Sequence, residues 1–181
     1  MCIRDRTWPV RTFLTGIGYD TNDWGRGRNV GDVAKAIEAM GATVRDVRAR
    51  VGRRVSLVGW SLGGYIAREV ARDEPSAVRA VVTFGSPVIG GPRFTTAARA
   101  AARRGWDMDS IDRIVSERKR TPLRVPVTAI YSRRDGVVDW RACIDDEEGG
   151  PIEHVEVGAT HVGLGFSADV FRIVADRLAA S

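Results

Sequence analysis

The stretch Val55-Ser56-Leu57-Val58-Gly59-Trp60-Ser61-Leu62-Gly63-Gly64 determines how the rest of this chain is interpreted. Its first six residues form a short apolar run typical of a buried strand. A helical pattern then begins at Leu62 and stops at about Glu74, before Pro75. Ser61 therefore stands on a tight turn from a strand to a helix, within a Gly-x-Ser-x-Gly pattern. We expect this turn to strain the serine backbone and to project its hydroxyl above a sheet, at the positive end of the helix.

The residues beside Ser61 fit a nucleophile better than a serine in an ordinary turn. Gly59, Trp60 and Gly63 flank it, and we expect a side chain at either glycine to collide with the neighbouring strand or helix. The backbone N–H of Leu62 is then placed to bind the oxyanion of a tetrahedral intermediate. The pattern alone is common by chance, so the strand before it and the helix after it carry the argument.

Strand and helix patterns alternate on both sides of this turn. Apolar residues at steps of three and four predict an amphipathic helix over 33–51. Short apolar runs predict further strands at 80–84, 127–131 and 153–157. A last helix, over 168–180, is expected to turn four residues inward: Val170, Phe171, Val174 and Leu178. Apolar strands alternating with helices predict an α/β fold, in which a mostly parallel sheet is covered by helices on both faces.

A serine nucleophile needs a base, and the chain has only two histidines. His154 lies at the start of a strand pattern, which would fix its ring within the sheet. His161 lies in Gly158-Ala159-Thr160-His161-Val162-Gly163, a loop after the last strand, and from there its imidazole can reach over the serine. We therefore predict that His161 is the base and that His154 has a satisfied or exposed structural role.

The base needs a carboxylate that fixes its tautomer and stabilises its protonated form. Asp135 follows the strand at 127–131 and gives the chain order Ser, Asp, His. Asp139, four residues further on, is the second candidate. The acidic run Asp145-Asp146-Glu147-Glu148 is interpreted as a solvated loop. The predicted catalytic triad is thus Ser61, His161 and Asp135.

These segments resemble the lipase- and esterase-like branch of the α/β-hydrolase superfamily, from about Trp8 onward. The resemblance rests on the stretch around Ser61, on Val-Thr-Phe-Gly-Ser-Pro, on Tyr-Ser-Arg-Arg-Asp-Gly-Val-Val and on Gly-Ala-Thr-His, in that order. It implies hydrolysis of carboxylic esters through an acyl-enzyme, without a metal or an organic cofactor. A thioesterase, amidase or acyltransferase of the same fold is an alternative, as is an inactive fragment that only binds acyl ligands.

Segment 90–125 lies between the second and third predicted strands and holds two predicted helices, around 95–104 and 110–119. Insertions at this end of a parallel sheet usually overhang the site, and the resemblance implies a small cap over the acyl chain. Phe94, Trp106 and Ile111 are the apolar candidates for contacting that chain. Packing of the cap onto the core is the alternative role for them.

The N-terminal region departs from the resemblance. Residues 8–19 resemble the end of the first large helix, leading into a strand at about 19–24; the rival interpretation makes 10–14 a strand and 15–18 an oxyanion loop. We do not find the earlier strand that supplies relatives with a second oxyanion donor, so we expect N-terminal strands to be missing. Residues 1–7 resemble a non-native leader, and we expect Met1 to Arg6 to pack against nothing. An unpaired nucleophile strand and a single donor predict weak activity and aggregation.

The composition narrows the classes of function. The 181 residues suit one catalytic domain over 1–181, and no apolar stretch is long enough to cross a bilayer. The start has no signal peptide, although a clipped start leaves an upstream export signal open. The net charge is +5, but the arginines are dispersed among acids, so we expect a small-molecule or lipid ester and no nucleic acid as partner. We expect a soluble protein of the bacterial cytoplasm.

Overall fold

The computed structural model describes residues 7–24, 33–89, 91–96, 108–147 and 150–180. Within these ranges four strands form a wholly parallel sheet in the order β1-β2-β3-β4. The strands are β1 (Val55–Trp60), β2 (Val78–Phe84), β3 (Val127–Tyr131) and β4 (Ile152–Glu156). All four predicted strands are confirmed, although β2 begins at Val78 rather than Ala80 and β4 begins one residue before Glu153.

The helices alternate with the strands as the periodicity predicts. They are α1 (Trp8–Gly16), α2 (Val33–Val51), α3 (Leu62–Asp73), α4 (Met108–Arg118), α5 (His161–Leu164) and α6 (Ala168–Ala180). Two 3₁₀ helices span Gly91–Phe94 and Trp140–Cys143. In the described part of the chain, no helix combines the length and the apolar character needed to cross a membrane.

The sheet is covered on both faces, because successive residues of each strand point to opposite sides. Along β2, Val81 joins the apolar layer under α2 and α3, while Val82 joins the layer under α1 and α6. Three of the four residues predicted to face inward from α6 are buried, namely Val170, Val174 and Leu178. The fourth, Phe171, is partly buried and stacks on Phe13 of α1, with ring centroids 5.5 Å apart. The prediction of a parallel sheet with two helical layers is confirmed.

The N-terminal segment is helical, so the rival interpretation of a strand over 10–14 is wrong. Val10 and Leu14 are buried on the α6 side of the sheet, and the helix ends as the Ile17 N–H donates to the Phe13 carbonyl. The strand expected at 19–24 is also wrong, because this segment pairs with no described strand and its Tyr19 N–H turns back to Leu14 O. A strand exists only where a neighbour takes up its N–H and C=O groups.

β1 is an edge strand of the described sheet, since it pairs with β2 and with no other described strand. This matches the expectation that the nucleophile strand lacks a neighbour on one side. The helix predicted around 110–119 is α4, two residues ahead of its expected start. The helix predicted at 95–104 falls almost wholly outside the described residues, and Thr95 itself forms a β-bridge with Val138 instead. Residues 1–6 also lie outside.

Candidate active site

Ser61 occupies a strained turn between β1 and α3. Its backbone has φ 54° and ψ −129°, and no other non-glycine residue in the described ranges has a positive φ. Such a conformation is costly for a residue with a Cβ and persists only where the surroundings enforce it. The Ser61 N–H donates to the Phe84 carbonyl at 3.0 Å, and the Ser61 carbonyl accepts from the Gly64 N–H at 3.0 Å. Both ends of the turn are therefore fixed to the sheet and to the helix.

Two glycines make this turn sterically possible. A Cβ at Gly59 would lie 2.5 Å from the Cα of Gly64, and a Cβ at Gly64 would lie 2.0 Å from the Oγ of Ser86. Gly63, by contrast, faces open space, and a Cβ there would meet no atom within 4 Å. The expected collision at Gly59 is thus confirmed, whereas the one at Gly63 is wrong. The close approach of strand and helix occurs one residue later, at Gly64.

Leu62 is the first residue of α3, directly after the serine. The first N–H groups of a helix have no acceptor in a preceding turn and carry the positive end of its dipole. The Leu62 N–H is therefore available for an anionic oxygen bound beside Ser61. This is the backbone donor that the sequence predicts for an oxyanion.

His161 and Asp135 are brought into direct contact. The His161 Nδ1 lies 2.7 Å from the Asp135 Oδ2, and both side chains are buried. The other carboxylate oxygen, Oδ1, accepts the N–H groups of Val137 and Val138, each at 2.8 Å. These bonds orient the carboxylate so that Oδ2 faces the imidazole. A proton on Nδ1 then leaves Nε2 as an acceptor for a hydroxyl.

Several neighbours hold the imidazole in place. His161 is the first residue of α5, and the Thr160 side chain caps that helix by accepting from the Gly163 N–H at 3.2 Å. The Trp60 ring lies beside it, with ring centroids 5.5 Å apart. Gly85 has φ 56°, and a Cβ there would lie 3.2 Å from His161 Nδ1 and 3.1 Å from Asp135 Oδ2. The roles of Gly85 and Thr160 could not be predicted from the sequence, although both residues lie in stretches that carry the family resemblance.

Asp139, the second candidate for the carboxylate, and His154, the other histidine, both bind other groups. Asp139 caps the 3₁₀ helix Trp140–Cys143 by accepting from the Arg141 N–H at 2.9 Å. His154 lies in β4, where its Nε2 accepts from the Asp145 N–H at 2.9 Å. His154 is therefore a satisfied structural histidine, as expected, and neither residue contacts the His161–Asp135 pair.

The Ser61 hydroxyl forms no hydrogen bond with His161 in the described structure; the ring's hydrogen bond goes to Asp135. Catalytic contacts of this kind are often long in the absence of substrate. Cys143, the cysteine that lies among the described residues, is not an alternative nucleophile: burial, together with Asp135 and Asp139, raises its pKa to about 12 and keeps the thiol protonated. No group of three His, Cys, Asp or Glu residues among the described ones could hold a metal ion.

The acidic run after the Asp135 loop is not solvated, which corrects the interpretation of Asp145-Asp146-Glu147-Glu148. The Asp145 carboxylate accepts two hydrogen bonds from Arg68 of α3, at 2.5 and 2.7 Å, and Arg68 is only 1% exposed. Glu147 binds Arg68 and Arg72, each at 2.7 Å. Only Asp146 has the expected surface position, paired with Lys119, and Glu148 lies outside the described residues.

The charges in this buried cluster stabilise one another. Burial opposes ionisation of Glu147, but hydrogen bonds from Arg72 and the Leu123 N–H outweigh it and lower the Glu147 pKa to about 2. Burial likewise opposes the charge on Glu69, yet Arg68 and Arg118 hold its pKa below the ordinary value. The pKa of Arg68 is raised, because its bonds to Asp145 outweigh desolvation. Both carboxylates thus stay ionised at neutral pH.

The predicted cap is hydrogen-bonded, near each of its ends, to an element that carries a candidate site residue. Near its start, the Phe94 carbonyl accepts from the Asp139 N–H at 2.9 Å, and the Thr96 N–H donates to the Val137 carbonyl at 2.9 Å. Near its end, Arg118 of α4 donates to Glu69 of α3. The cap thus contacts the Asp135 loop on one side and the nucleophile helix on the other.

Of the three apolar cap candidates, only Phe94 can be placed. It is 42% exposed and lines a cavity of about 420 Å³ between the 3₁₀ helix Gly91–Phe94 and α4; Ser61, Asp135 and His161 do not line that cavity. Trp106 and the side chain of Ile111 lie outside the described part of the structure. Contact between the cap and an acyl chain therefore stays a prediction.

The chain belongs to the alpha/beta hydrolase family, whose model matches residues 9–178. None of the curated protein sequences compared with the chain matches it.

Solved structures with the same fold cover almost the whole chain. It is similar to alpha/beta hydrolase domain-containing protein 10 from mouse, with 17% identity, a TM-score of 0.63, and coverage of 97% of this chain and 84% of that one. It is also similar to the esterase domain of a Rhodothermus marinus protein, with 22% identity, a TM-score of 0.64, and coverage of 97% and 78%. For an esterase of Pyrococcus furiosus the identity is 20%, the TM-score 0.67, and the coverage 96% and 74%. At these identities the likeness establishes the fold.

Proposed function

We propose that this protein is a serine hydrolase that cleaves carboxylic esters through an acyl-enzyme. Ser61 is the nucleophile, His161 the general base, and Asp135 the carboxylate that orients it. The observation that carries the proposal is the buried 2.7 Å contact between His161 Nδ1 and Asp135 Oδ2. It is supported by the strained φ of 54° at Ser61, whose neighbour Trp60 packs its ring against that of His161. Membership of the alpha/beta hydrolase family and the esterases among the similar structures agree with it.

The arrangement suits a two-stage acyl transfer. In the first stage His161 Nε2 takes the proton of the Ser61 hydroxyl while Oγ attacks the ester carbonyl, and the Leu62 N–H stabilises the oxyanion. The protonated imidazole, stabilised by Asp135, then gives its proton to the departing alcohol. In the second stage a water molecule loses its proton to His161 and attacks the acyl-enzyme. Collapse of this second tetrahedral intermediate breaks the bond to Oγ, which takes the proton back from His161, and so releases the acid and the free serine.

The ester assignment is tested by comparing matched substrates with one acyl group and three leaving groups, an alcohol, a thiol and an amine. An esterase is expected to have its highest kcat/KM on the ester. A higher value on the thioester or the amide would instead establish the thioesterase or amidase of the same fold, and transfer to an added alcohol would establish an acyltransferase.

The role of Asp135 is tested against Asp139, which has the same charge and lies four residues away. Asp135→Asn should lower kcat by about 10⁴-fold, because the amide favours the wrong tautomer of the base. Asp139→Asn is the matched control and should lose far less, since its carboxylate caps a 3₁₀ helix. Equal losses in the two variants would contradict the assignment.

A further inference from the structure

The loops that carry Asp135 and His161 leave the sheet from neighbouring strands. β3 and β4 are paired in parallel, with Tyr131 opposite Glu156, and the Val157 N–H donates to the Tyr131 carbonyl at 2.9 Å. In the described structure this is the last backbone hydrogen bond between the two strands before the His161–Asp135 contact. Beyond this bond, the alignment of His161 with Asp135 depends on whatever contacts join the two loops.

One buried hydroxyl supplies that link. Ser132 follows β3 directly and is fully buried, with 0% exposure. Its Oγ accepts the N–H of Arg134 at 3.1 Å and the N–H of Ala159 at 3.2 Å. The first donor belongs to the loop that carries Asp135, and the second belongs to the loop that carries His161.

The two donors lie close in sequence to the residues that they position. Arg134 immediately precedes Asp135, and the Asp135 N–H itself donates to the Ser132 carbonyl at 3.1 Å. Ala159 stands two residues before His161, next to the Thr160 cap of α5. A rotation of the backbone at either donor therefore moves the carboxylate or the imidazole directly.

We propose that Ser132 is a positioning residue, whose hydroxyl joins the two loops and sets the contact between Asp135 and His161. This inference rests on the proposed function and adds a residue to it that touches neither the substrate nor the reacting atoms. Without the hydroxyl, two partly buried N–H groups lose their shared acceptor. Each loop then moves so that its N–H group reaches a different acceptor. The carboxylate and the imidazole then lose their alignment.

The test compares Ser132→Ala with Thr128→Val. Thr128 is a matched control because it is a buried hydroxyl on β3 whose bond, to Glu153, touches neither loop. In Ser132→Ala we expect kcat to fall about 10- to 100-fold, the cost of a small misplacement of catalytic groups, with KM nearly unchanged. The acid limb of the pH–rate profile should move to lower pH, because the imidazolium loses part of its carboxylate stabilisation. Thr128→Val should retain the wild-type kcat and profile.

A second variant covers the case in which Ser132→Ala does not fold. Ser132→Cys keeps nearly the same volume but replaces the oxygen with a weak acceptor, so it should lose kcat in the same direction and to a smaller extent. Wild-type kcat and an unmoved profile in either folded variant would overturn the proposal, even if the free energy of unfolding fell, because Ser132 would then be merely structural.

The proton NMR signal of the His161 Nδ1–H gives a readout that does not require turnover. In the wild type this proton should resonate at low field, as expected for a hydrogen bond to a carboxylate, and it should exchange faster and broaden in Ser132→Ala. An unchanged signal would overturn the inference and leave the proposed function intact. Conversely, wild-type turnover that survives Ser61→Ala would overturn the proposed function, whatever the NMR signal does.

Discussion

Arg68 and Asp145 form a buried ion pair joined by two hydrogen bonds, of 2.5 and 2.7 Å, although they lie 77 residues apart in sequence. Arg68 belongs to α3, which begins directly after Ser61, and Asp145 follows the loop that carries Asp135. The pair therefore connects the helix of the nucleophile to the segment of the acid. The chain encloses charges here where an ordinary core has apolar side chains, and their mutual pairing compensates for the lost hydration.

Removing Arg68 should destabilise the fold strongly. In Arg68→Met the carboxylates of Asp145, Glu69 and Glu147 lose a buried partner, so we expect the free energy of unfolding in urea to fall by about 3–5 kcal/mol. Arg172→Met is the matched control: its pair with Asp169 is exposed at the surface, and the change should be at most about 1 kcal/mol. Similar changes in the two variants would contradict the description of the cluster as buried and coupled.

The buried charge cluster around Arg68 also predicts how the free energy of unfolding changes with pH. The folded-state pKa of Glu147 is about 2, below its ordinary value of 4.5, so its contribution is complete above pH 4.5 and is lost as the pH falls toward 2. Urea unfolding of wild type and Glu147→Gln should therefore differ by a constant free energy above about pH 5, and the difference should shrink below it. Exposed Glu38→Gln serves as control. A difference that does not change with pH would contradict this account.

The glycines around Ser61 predict contrasting effects of one added methyl group. Gly64→Ala and Gly59→Ala force a Cβ into the strand–helix contact, and each should lower the free energy of unfolding by at least about 1–3 kcal/mol. Gly63→Ala has open space within α3 and should be neutral or stabilising by up to about 1 kcal/mol. Thermal or urea unfolding of the three variants measures these changes. The largest loss in the free energy of unfolding at Gly63→Ala would contradict this interpretation.

These contrasts indicate what the sequence could and could not predict. The strands, α2, α3 and α6 follow from apolar periodicity, and the placement of Ser61, Asp135 and His161 follows from chain order at the ends of parallel strands. The burial of Asp145 and Glu147 could not be foreseen, because an acidic run has the same pattern whether it faces water or a distant arginine. The same limit applies to Gly64 and Ser132, whose roles depend on contacts with Ser86 and Ala159 across the fold.

We expect the cap to determine which acyl length the enzyme prefers. If Trp106 contacts the acyl chain, Trp106→Ala should shift the acyl length with the highest kcat/KM across a series of straight-chain esters. Phe94→Ala is the companion variant, since Phe94 adjoins the Asp135 loop through its carbonyl. An unchanged preference accompanied by a lower free energy of unfolding would mean that these residues pack the cap onto the core.

The most direct test of the central claim is the site and rate of labelling by a fluorophosphonate, which reacts with an activated serine. We predict that mass spectrometry finds the adduct on Ser61, that Ser61→Ala abolishes it and that His161→Gln slows it severely, because the base is then absent. Ser116→Ala, a change at an exposed serine on α4, is the control and should label at the wild-type rate. An adduct on another residue, or labelling of Ser61 at an undiminished rate in His161→Gln, would contradict the account.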